Sequence, residues 1–239
     1  MTATANATIA TAAAAAAAAA GKDKPHAEYV ILVDEHDNPI GMEEKVRCHL
    51  PDGKLHRAFT ALLFEEKSGG LILGRRAGEK MLWPGYWDGT FASHPRESET
   101  YVSSCQRRMP EELGITAEFD YLHKFEYHVP YRDIGSENEI CGTLVGTIRD
   151  ASDVVQVRGE IEGVRTVSAG QMAADAAENP GAYCPWMLVA LYMLDRSDPA
   201  ALEKHSGILD PWMAGEVKDS LLGAISSHMP KESWRLVEQ

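Results

Sequence analysis

The chain has 239 residues, a formal net charge of −13 and a pI near 5.1. This acidic balance argues against a nucleic-acid binder, which usually carries a basic surface, and against attraction to anionic lipid. With 44% hydrophobic residues, the chain has enough apolar material for one sizeable core. Apart from the N-terminal alanines it has no run of about 18 apolar residues, so no membrane span is expected.

The basic residues are concentrated in the middle of this acidic chain. Of the 23 lysines and arginines, 11 fall between Lys45 and Arg108. A locally basic segment in an acidic protein is compatible with a pocket that binds a small anionic ligand.

The cysteines are widely spaced and form no Cys-x-x-Cys pair; they are Cys48, Cys105, Cys141 and Cys184. In a chain of this length, that pattern indicates free thiols in a reducing compartment rather than a disulfide framework. We therefore expect a cytoplasmic protein.

Residues 1–27 form a low-complexity Ala/Thr tail, which cannot build a core and is expected to be disordered. After it, apolar and β-branched runs predict four strands, at 29–34, 40–45, 56–64 and 71–75. The segment 83–89 (WPGYWDG) is rich in Pro, Gly and aromatic residues, which predicts a shaped loop. Helical spacing predicts a helix over 97–113 that Gly114 closes as a C-cap.

Beyond this helix, strand patterns return and then give way to helices. Strands are predicted at 125–131, 140–148 and 163–167, an apolar helix at 185–195, and mostly helix from 199 to 239. This order predicts an α+β fold, a mixed β-sheet sandwiched by helices with a C-terminal helical extension. The predicted organisation is the tail at 1–27, one domain over 28–196, and an extension over 197–239 packed on that domain.

The segment RRMPEELGI in the predicted helix places arginines and glutamates one turn apart. Arg107 and Arg108 each precede a glutamate by four residues, an arrangement that surface ion pairs also use. Glu99 lies eight residues before Arg107, and Gly114 follows the glutamates. This pattern resembles the box of the Nudix superfamily, in which a glycine, a glutamate and an Arg-Glu-x-x-Glu-Glu-x-Gly helix hold a divalent metal against a diphosphate.

The match to the box is partial at two positions. Ser93 stands where the box has its first glycine, and Arg108 replaces a glutamate. In addition, Pro110 removes one backbone donor inside the helix, so we expect a kink or wide turn at 106–110.

The departures at Ser93 and Arg108 are both shared by one branch of the superfamily. From about Glu28 to Met187 the chain resembles the type I isopentenyl diphosphate isomerases, in the stretches EYVILVDEHDNPIGMEEKVRCHLPDGKLHRAF, LGRRAGEKMLWPGYW, SHP, QRRMPEELGI, ENEI and PWM. The resemblance implies a Nudix-type fold. It also implies a metal-dependent enzyme of isoprenoid metabolism that acts on a prenyl diphosphate by alkene protonation and carbocation chemistry.

The resemblance implies a metal site of three histidines and two glutamates, which are His49, His56, His94, Glu137 and Glu139. Imidazoles and carboxylates together suit a borderline ion such as Mn²⁺ or Zn²⁺ better than Mg²⁺. The Glu-Asn-Glu spacing puts both carboxylates on one face of a strand, because side-chain direction repeats every two residues.

The resemblance also implies a set of basic side chains that bind the diphosphate, namely Lys45, Arg76, Lys80 and Arg108. Glu112 would hold a Mg²⁺ ion that bridges to the phosphate oxygens. Arginines fit phosphate geometry because they can donate two parallel hydrogen bonds. This set explains the basic middle of the chain.

Three more positions match catalytic side chains of the family. Trp186, in the PWM stretch, matches an aromatic residue near the isoprenoid chain, where its face would stabilise a developing carbocation. Tyr127 matches the hydroxyl partner of Glu139, and this pair is expected to act as acid or base.

One catalytic position of the family is altered. Two residues before the histidine of SHP, where the isomerases have a cysteine, this sequence has Ala92, which cannot exchange a proton. The neighbouring Phe91 is expected to add an aromatic face to the substrate pocket. The chain is then either a Cys-to-Ala variant of an isomerase or a divergent member that steers the carbocation elsewhere, for example to cyclise a longer prenyl diphosphate.

Two other classes of function stay open. One is a Nudix diphosphate hydrolase, against which Arg108 stands because it leaves fewer carboxylates to gather metals. The other is a catalytically inactive protein that binds prenyl diphosphates. In every case the expected partner is a small molecule, with no nucleic acid and no membrane, and the protein is expected to be a monomer or homodimer.

Overall fold

A computed structural model describes residues 28–157 and 159–238. The Ala/Thr tail predicted over 1–27 lies outside the described residues. Within the described ranges, no helix combines the length and the apolar character needed to cross a membrane.

The described residues form ten strands and six α-helices. The strands are β1 (Tyr29–Val33), β2 (Pro39–Glu44), β3 (His56–Glu65), β4 (Leu71–Arg76), β5 (Trp87–Asp88), β6 (Phe91–Ser93), β7 (Phe119–Tyr131), β8 (Gly135–Ile148), β9 (Ile161–Val167) and β10 (Trp234–Val237). The α-helices are α1 (Lys45–His49), α2 (Tyr101–Leu113), α3 (Ala169–Glu178), α4 (Pro185–Tyr192), α5 (Pro199–Leu209) and α6 (Gly215–His228).

All ten strands join one mixed sheet, which confirms the predicted sheet. Seven strands were predicted; β6 and β10 were not, and β5 lies in the segment 83–89 that was predicted as a loop. Its main path runs β10-β7-β8-β3-β1-β2, while β4 and β6 also pair with β3, and β5 and β9 pair with β4. Strands β3 and β8 are parallel, and the other pairs are antiparallel. Strand β3, which begins at His56, therefore stands at the centre, beside β8 with Glu137 and Glu139 and beside β6, which leads into His94.

Side chains of β3 alternate between two hydrophobic clusters, one on each face of the sheet. Leu62 and Phe64 belong to the cluster that α3, α4 and α6 cover, whereas Phe59 and Leu63 belong to the cluster that α2 covers. Fully burying such a side chain stabilises the fold by about 1.5–3 kcal/mol. The sheet is thus sandwiched by helices, which confirms the predicted fold class.

Helix α2 confirms the predicted central helix and corrects one detail of it. Thr100 caps its start, and Gly114 ends it in the left-handed region with φ 66°. Of the kink or wide turn expected at 106–110, the wide turn does not form, because one α-helix runs from Tyr101 through Pro110 to Leu113, starting four residues later than predicted. The fully buried Met109 and Leu113 flank the proline, so tertiary packing offsets the lost backbone donor.

The C-terminal segment is mostly helical, as predicted, but it also returns to the sheet. Strand β10 pairs with β7, which the sequence did not predict. Earlier in the same segment, Trp212 is fully buried, and its ring centroid lies 5.5 Å from that of Phe64 on β3. Residues after 197 therefore share a hydrophobic cluster with the central sheet.

Candidate active site

A cavity of about 230 Å³ lies where α1, β6, β7, β8 and α4 meet. Most of the predicted site residues line it: Lys45, His49, Arg76, Lys80, Ala92, His94, Tyr127, Glu137, Glu139 and Trp186. The other predicted site residues do not line it; they are His56, Phe91, Arg108 and Glu112.

Strand register gathers four of the five predicted metal ligands. The parallel pairing of β3 with β8 sets His56 beside Glu139, and β6, which pairs with β3, leads directly into His94. His49, the last residue of α1, completes the group. One nitrogen or carboxylate oxygen from each of these four residues lies within 4.8 Å of all the others. Ligand atoms this close together could hold one metal ion.

Hydrogen bonds fix how two of these imidazoles face the cluster. The Nδ1 atom of His49 lies 2.6 Å from the carbonyl oxygen of Lys45, and that of His56 lies 2.8 Å from the carbonyl oxygen of Lys54. Because a carbonyl oxygen only accepts, each Nδ1 carries the proton, and each Nε2 is left facing the cluster. Such backbone support is usual for metal-binding histidines.

The centre of the cluster holds nitrogen and oxygen atoms at close range. The Nε2 atoms of His56 and His94 are 3.3 Å apart, and each lies 3.3 Å from Oε1 of Glu139. Burial, aided by the charge of Lys45, lowers the pKa of His94 well below its usual value. A neutral His94 keeps a lone pair for coordination. Despite burial, contacts with Glu137 raise the pKa of His49, and contacts with Cys48 and Glu139 raise the pKa of His56, so a cation would bind there in competition with protons.

Glu137, the fifth predicted ligand, lies at the edge of this cluster. Its Oε2 atom is 3.0 Å from Nε2 of His49, but it is buried without a hydrogen-bond partner. A buried carboxylate oxygen that lacks a donor is costly unless a cation or water satisfies it. This unpartnered oxygen therefore also fits a metal ion at the site.

Tyr127 and Glu139 form a hydrogen-bonded pair on the cavity wall. They face each other across β7 and β8, and the tyrosine hydroxyl donates to Oε2 of Glu139 at 2.6 Å. Burial raises the pKa of Tyr127 well above its usual value. Burial opposes ionisation of Glu139, yet contacts with His56 and Tyr127 hold the pKa of its carboxyl below the usual range. The pair thus holds one proton on a hydroxyl beside a carboxylate.

Three of the four predicted diphosphate-binding side chains line the cavity, and each has a partner within the protein. Lys45 donates to Glu28 at 3.0 Å, and Lys80 pairs with Glu160. The third is Arg76, which donates to Asp88 and to two backbone carbonyl oxygens. Cationic groups therefore face the cavity, and internal anions or carbonyl groups partly neutralise them.

Arg108, the fourth, is held beside the cavity by carboxylates. It pairs with Glu111 and Glu112 on its own helix, as the spacing allowed, and its Nη2 atom lies 3.4 Å from Glu160. Glu112 is buried and lines a hollow of about 10 Å³ together with Lys80 and Ala92. Arg108 and Glu112 thus lie next to the cavity without lining it.

Ala92 and Phe91 point to opposite faces of β6. Ala92 lines the cavity, whereas the ring of Phe91 packs edge-on against Phe59 and Phe119, at centroid distances of 5.9 and 6.3 Å. The structure therefore does not put Phe91 on the wall of the main cavity, because successive side chains of a strand alternate in direction. All four cysteines are free and buried, and among the described residues none lines the cavity.

Two acidic residues of the site were not predicted. Asp88 accepts a hydrogen bond from Nε1 of Trp186 at 2.8 Å, and Glu160 contacts both Lys80 and Arg108. The only sequence signal for Asp88 is its place in the aromatic WPGYWDG segment, and Glu160 carries none. Both contact residues far away in the chain, so local patterns cannot reveal them.

Comparison with known proteins identifies relatives of this chain. The model of the NUDIX domain matches residues 54–187. The isopentenyl-diphosphate Delta-isomerase of Haloarcula marismortui is 38% identical over 171 residues, which cover 68% of this chain and 88% of that protein. The isopentenyl-diphosphate Delta-isomerase of Halobacterium salinarum is 39% identical over 171 residues, which cover 68% of this chain and 78% of that protein.

A further relative, isopentenyl-diphosphate Delta-isomerase 1 of Photorhabdus laumondii, is 42% identical over 120 residues, covering 49% of this chain and 68% of that protein. Among solved structures, a protein of Deinococcus radiodurans superposes with a TM-score of 0.56 at 19% identity, covering 68% of this chain and 97% of that one. That structure shares the fold.

Proposed function

The chain belongs to the Nudix family and has isopentenyl-diphosphate Delta-isomerases among its relatives. From this premise we propose that it is a metal-dependent enzyme of isoprenoid metabolism that protonates the alkene of a prenyl diphosphate. The observation that carries the proposal is the Tyr127–Glu139 pair, which shares one cavity with the histidine cluster and with three basic side chains.

The basic side chains Lys45, Arg76 and Lys80 would bind the diphosphate. They now pair with Glu28, Asp88 and Glu160, so an incoming diphosphate would compete with internal carboxylates for the same donors. Arg108 lies next to them, and Glu112 would hold a Mg²⁺ ion bound with the phosphate oxygens. The diphosphate end of the substrate would therefore lie toward α2.

The cluster of His49, His56, His94, Glu137 and Glu139 would hold a second divalent ion. Nitrogen donors favour Mn²⁺ or Zn²⁺ over Mg²⁺ there. When bound, this ion would supply fixed positive charge beside the Tyr127–Glu139 pair. Glu139 uses one oxygen toward the cluster and the other toward Tyr127, so ion binding would orient the proton donor.

The proton transfer would follow from the same geometry. The electron pair of the alkene would form a new C–H bond with a proton supplied by the Tyr127–Glu139 pair, the electrons of the broken O–H bond would stay on an oxygen of that pair, and the adjacent carbon would become a tertiary cation. The indole face of Trp186, which lines the cavity, would stabilise that cation. Loss of a proton to a base then regenerates an alkene, and solvent returns the proton to Tyr127.

Ala92 favours a second outcome within this chemistry. The side chain of Ala92 can neither give nor take a proton, so the cavity wall at β6 offers no base at this position. A cation formed on a longer chain could then be attacked by a second double bond of that chain, which closes a ring. Cyclisation or rearrangement of a longer prenyl diphosphate is therefore the alternative to double-bond isomerisation.

The proposal also includes the location of the enzyme, its oligomeric state and the bounds of its catalytic domain. We expect the enzyme to work in the cytoplasm as a monomer or homodimer, with a small-molecule substrate. The catalytic domain would span 28–196, with 197–239 packed on it. Diphosphate hydrolysis would require several carboxylates that gather metals, whereas Arg108 stands where the Nudix box has one of its glutamates.

Product analysis tests this function. The purified chain is incubated with C5, C10, C15 and C20 prenyl diphosphates in the presence of Mg²⁺ and Mn²⁺. We expect an isomerised, cyclised or rearranged product that requires the metal, and a strongly reduced yield with Tyr127→Phe. Release of phosphate alone would instead indicate a hydrolase, and binding without turnover would indicate an inactive binding protein.

A further inference from the structure

Asp88 is a buried carboxylate that joins two parts of the cavity wall. Its side chain is 2% exposed. Its Oδ1 atom accepts from Nε1 of Trp186 at 2.8 Å and from the backbone N–H of Gly89 at 2.7 Å. Its Oδ2 atom accepts from Nη1 of Arg76 at 3.3 Å. One carboxylate thus contacts both a cavity-lining indole and a cavity-lining guanidinium.

The same guanidinium has further contacts that hold it beside the indole. Arg76 donates to the carbonyl oxygens of Leu82 at 2.9 Å and Trp83 at 3.1 Å. Its Cζ atom lies 5.2 Å from the ring centroid of Trp186, and the rings of Trp83 and Trp186 meet edge-on at 5.3 Å. Trp83 adopts a positive φ of 49°, which is unusual for an aromatic residue.

Because Asp88 carries the charge that balances Arg76, a change at Arg76 affects the hydrogen bonds of Asp88, including the one from Trp186. A buried guanidinium needs a counter-ion, and Asp88 is the carboxylate that contacts Arg76. An anion that reaches Arg76 from the cavity competes with Asp88 for the same N–H donors. When Arg76 turns toward that anion, Asp88 is left with Trp186 and Gly89 as its donors, and its hydrogen bond to the indole changes.

We propose that Asp88 is a positioning residue that couples diphosphate binding at Arg76 to the orientation of the Trp186 ring; the identity of the anion rests on the proposed function. The ring that would face the carbocation reaches its working position only when the diphosphate end is bound. Asp88 itself lines only the neighbouring small hollow, so it acts through Trp186 and Arg76 rather than on the substrate.

The test uses inorganic diphosphate with Mg²⁺ as the probe and the full chain labelled with 5-fluorotryptophan. Trp186→Phe identifies the fluorine resonance of Trp186, and calorimetry measures diphosphate binding independently. We expect diphosphate to shift this resonance in the wild-type protein. In Asp88→Asn an amide oxygen can still accept from the indole, but the charge that holds Arg76 is lost, so binding should persist while the shift falls at least about threefold.

Two further variants control the interpretation. Asp120→Asn makes the same chemical change at a surface ion pair with Lys204, and it should behave as wild type. Should Asp88→Asn fail to fold, Arg76→Lys replaces the forked donor by a point charge, and it should also weaken the shift. In turnover, Asp88→Asn should lower kcat about tenfold and change KM less than about threefold.

Three results would overturn the coupling. An equal resonance shift in wild type and Asp88→Asn would show that Asp88 does not transmit it. Diphosphate binding to wild type without any shift would show that the ring does not respond. Absence of diphosphate binding to wild type would overturn the proposed function itself, and the coupling with it, and calorimetry distinguishes this result from the other two.

Discussion

At the residue scale, Ala92 limits the chemistry of the cavity wall formed by β6. Its methyl group lines the cavity, and its backbone pairs with Thr60 of the central strand. The Tyr127–Glu139 pair and the indole of Trp186 line the same cavity. In the proposed mechanism, a cation formed there would meet no proton acceptor at position 92, so this side chain would separate simple isomerisation from the alternatives.

Ala92→Cys should therefore introduce, or strongly raise, conversion of isopentenyl diphosphate to dimethylallyl diphosphate. A thiol at this position supplies the missing acid or base, a contribution of about 10²–10⁴-fold in rate. The measurement is the ratio of the two C5 diphosphates with time. Ala92→Ser is the matched control, because a hydroxyl of similar size is a much weaker acid, and equal activity of both variants would contradict the assignment.

The resemblance singled out residues that cluster in the structure, but not the acidic residues that contact cavity-lining side chains. His56, His94 and Glu139 lie in stretches that the isomerase resemblance covers, and strand register then brings them together. The contact of Asp88 with Trp186 joins residues 98 positions apart, and that of Glu160 with Lys80 joins residues 80 apart. Only the folded chain reveals such contacts, because no local period encodes them.

At the element scale, Pro110 lies inside α2 and is expected to lower the free energy of unfolding. The proline lies inside the helix, three residues before its last residue, Leu113, and removes one backbone donor. Pro110→Ala should raise the free energy of unfolding by about 1–3 kcal/mol, since proline in a helix interior costs about 3 kcal/mol relative to alanine.

Urea unfolding measures this difference. Gln106→Ala, at an exposed position of the same helix, is the control and should change stability by less than about 0.5 kcal/mol. A Pro110→Ala protein that is no more stable than wild type would mean that the proline fits the helix without cost.

His123 links two central strands to the C-terminal segment. Its Nδ1 atom lies 2.8 Å from the hydroxyl of Ser197, and its Nε2 atom lies 3.0 Å from that of Thr143. Burial lowers the pKa of His123 to about 3, whereas an unfolded histidine titrates near 6.5. The unfolded chain therefore gains a proton below pH 6.5 that the folded protein does not take up until about pH 3.

The stability that a neutral His123 contributes is thus fully present above pH 6.5 and is lost as pH falls. Between pH 7.5 and 5.0, wild type should lose about 2 kcal/mol more than His123→Gln, which cannot titrate. Urea unfolding of both proteins at both pH values measures the difference. Parallel losses in the two proteins would contradict the buried, neutral state of His123.

The sequence predicted the long elements and missed the short ones. Apolar runs predicted β3 and β4, but α1 has five residues and β10 has four, too few to show a pattern. Helix α3 was also missed, although Ser168 and Gln171 form a capping box at its start. That Ser-x-x-Gln spacing is a signal that could have located the helix.

At the scale of the whole molecule, the charge distribution has a more specific meaning than the net value of −13. Of the 11 basic side chains of the middle segment, Lys45, Arg76 and Lys80 line the cavity. Each of these three already contacts a carboxylate, of Glu28, Asp88 and Glu160 respectively. Composition predicts a basic region and cannot show such pairing. The cavity is therefore less positive than a count of lysines and arginines indicates.

A divalent ion at the histidine cluster would tie together α1, β3, β6 and β8. Saturation at about 100 times Kd would stabilise the folded chain by about 2.7 kcal/mol. Chelation should therefore lower the free energy of unfolding of wild type but not of His94→Ala. His36→Ala, at an exposed histidine, is the control and should behave as wild type; equal stability of wild type with and without chelator would contradict the metal site.

Deuterium incorporation tests the proposed proton transfer most directly. The enzyme is incubated with C5 to C20 prenyl diphosphates in D₂O, and the products are analysed by mass spectrometry and NMR. Proton addition to the alkene predicts one carbon-bound deuterium from solvent in the product, whether it is isomerised or cyclised, and the loss of this signal in Tyr127→Phe. Products without carbon-bound deuterium, or release of phosphate alone, would contradict alkene protonation at the Tyr127–Glu139 pair.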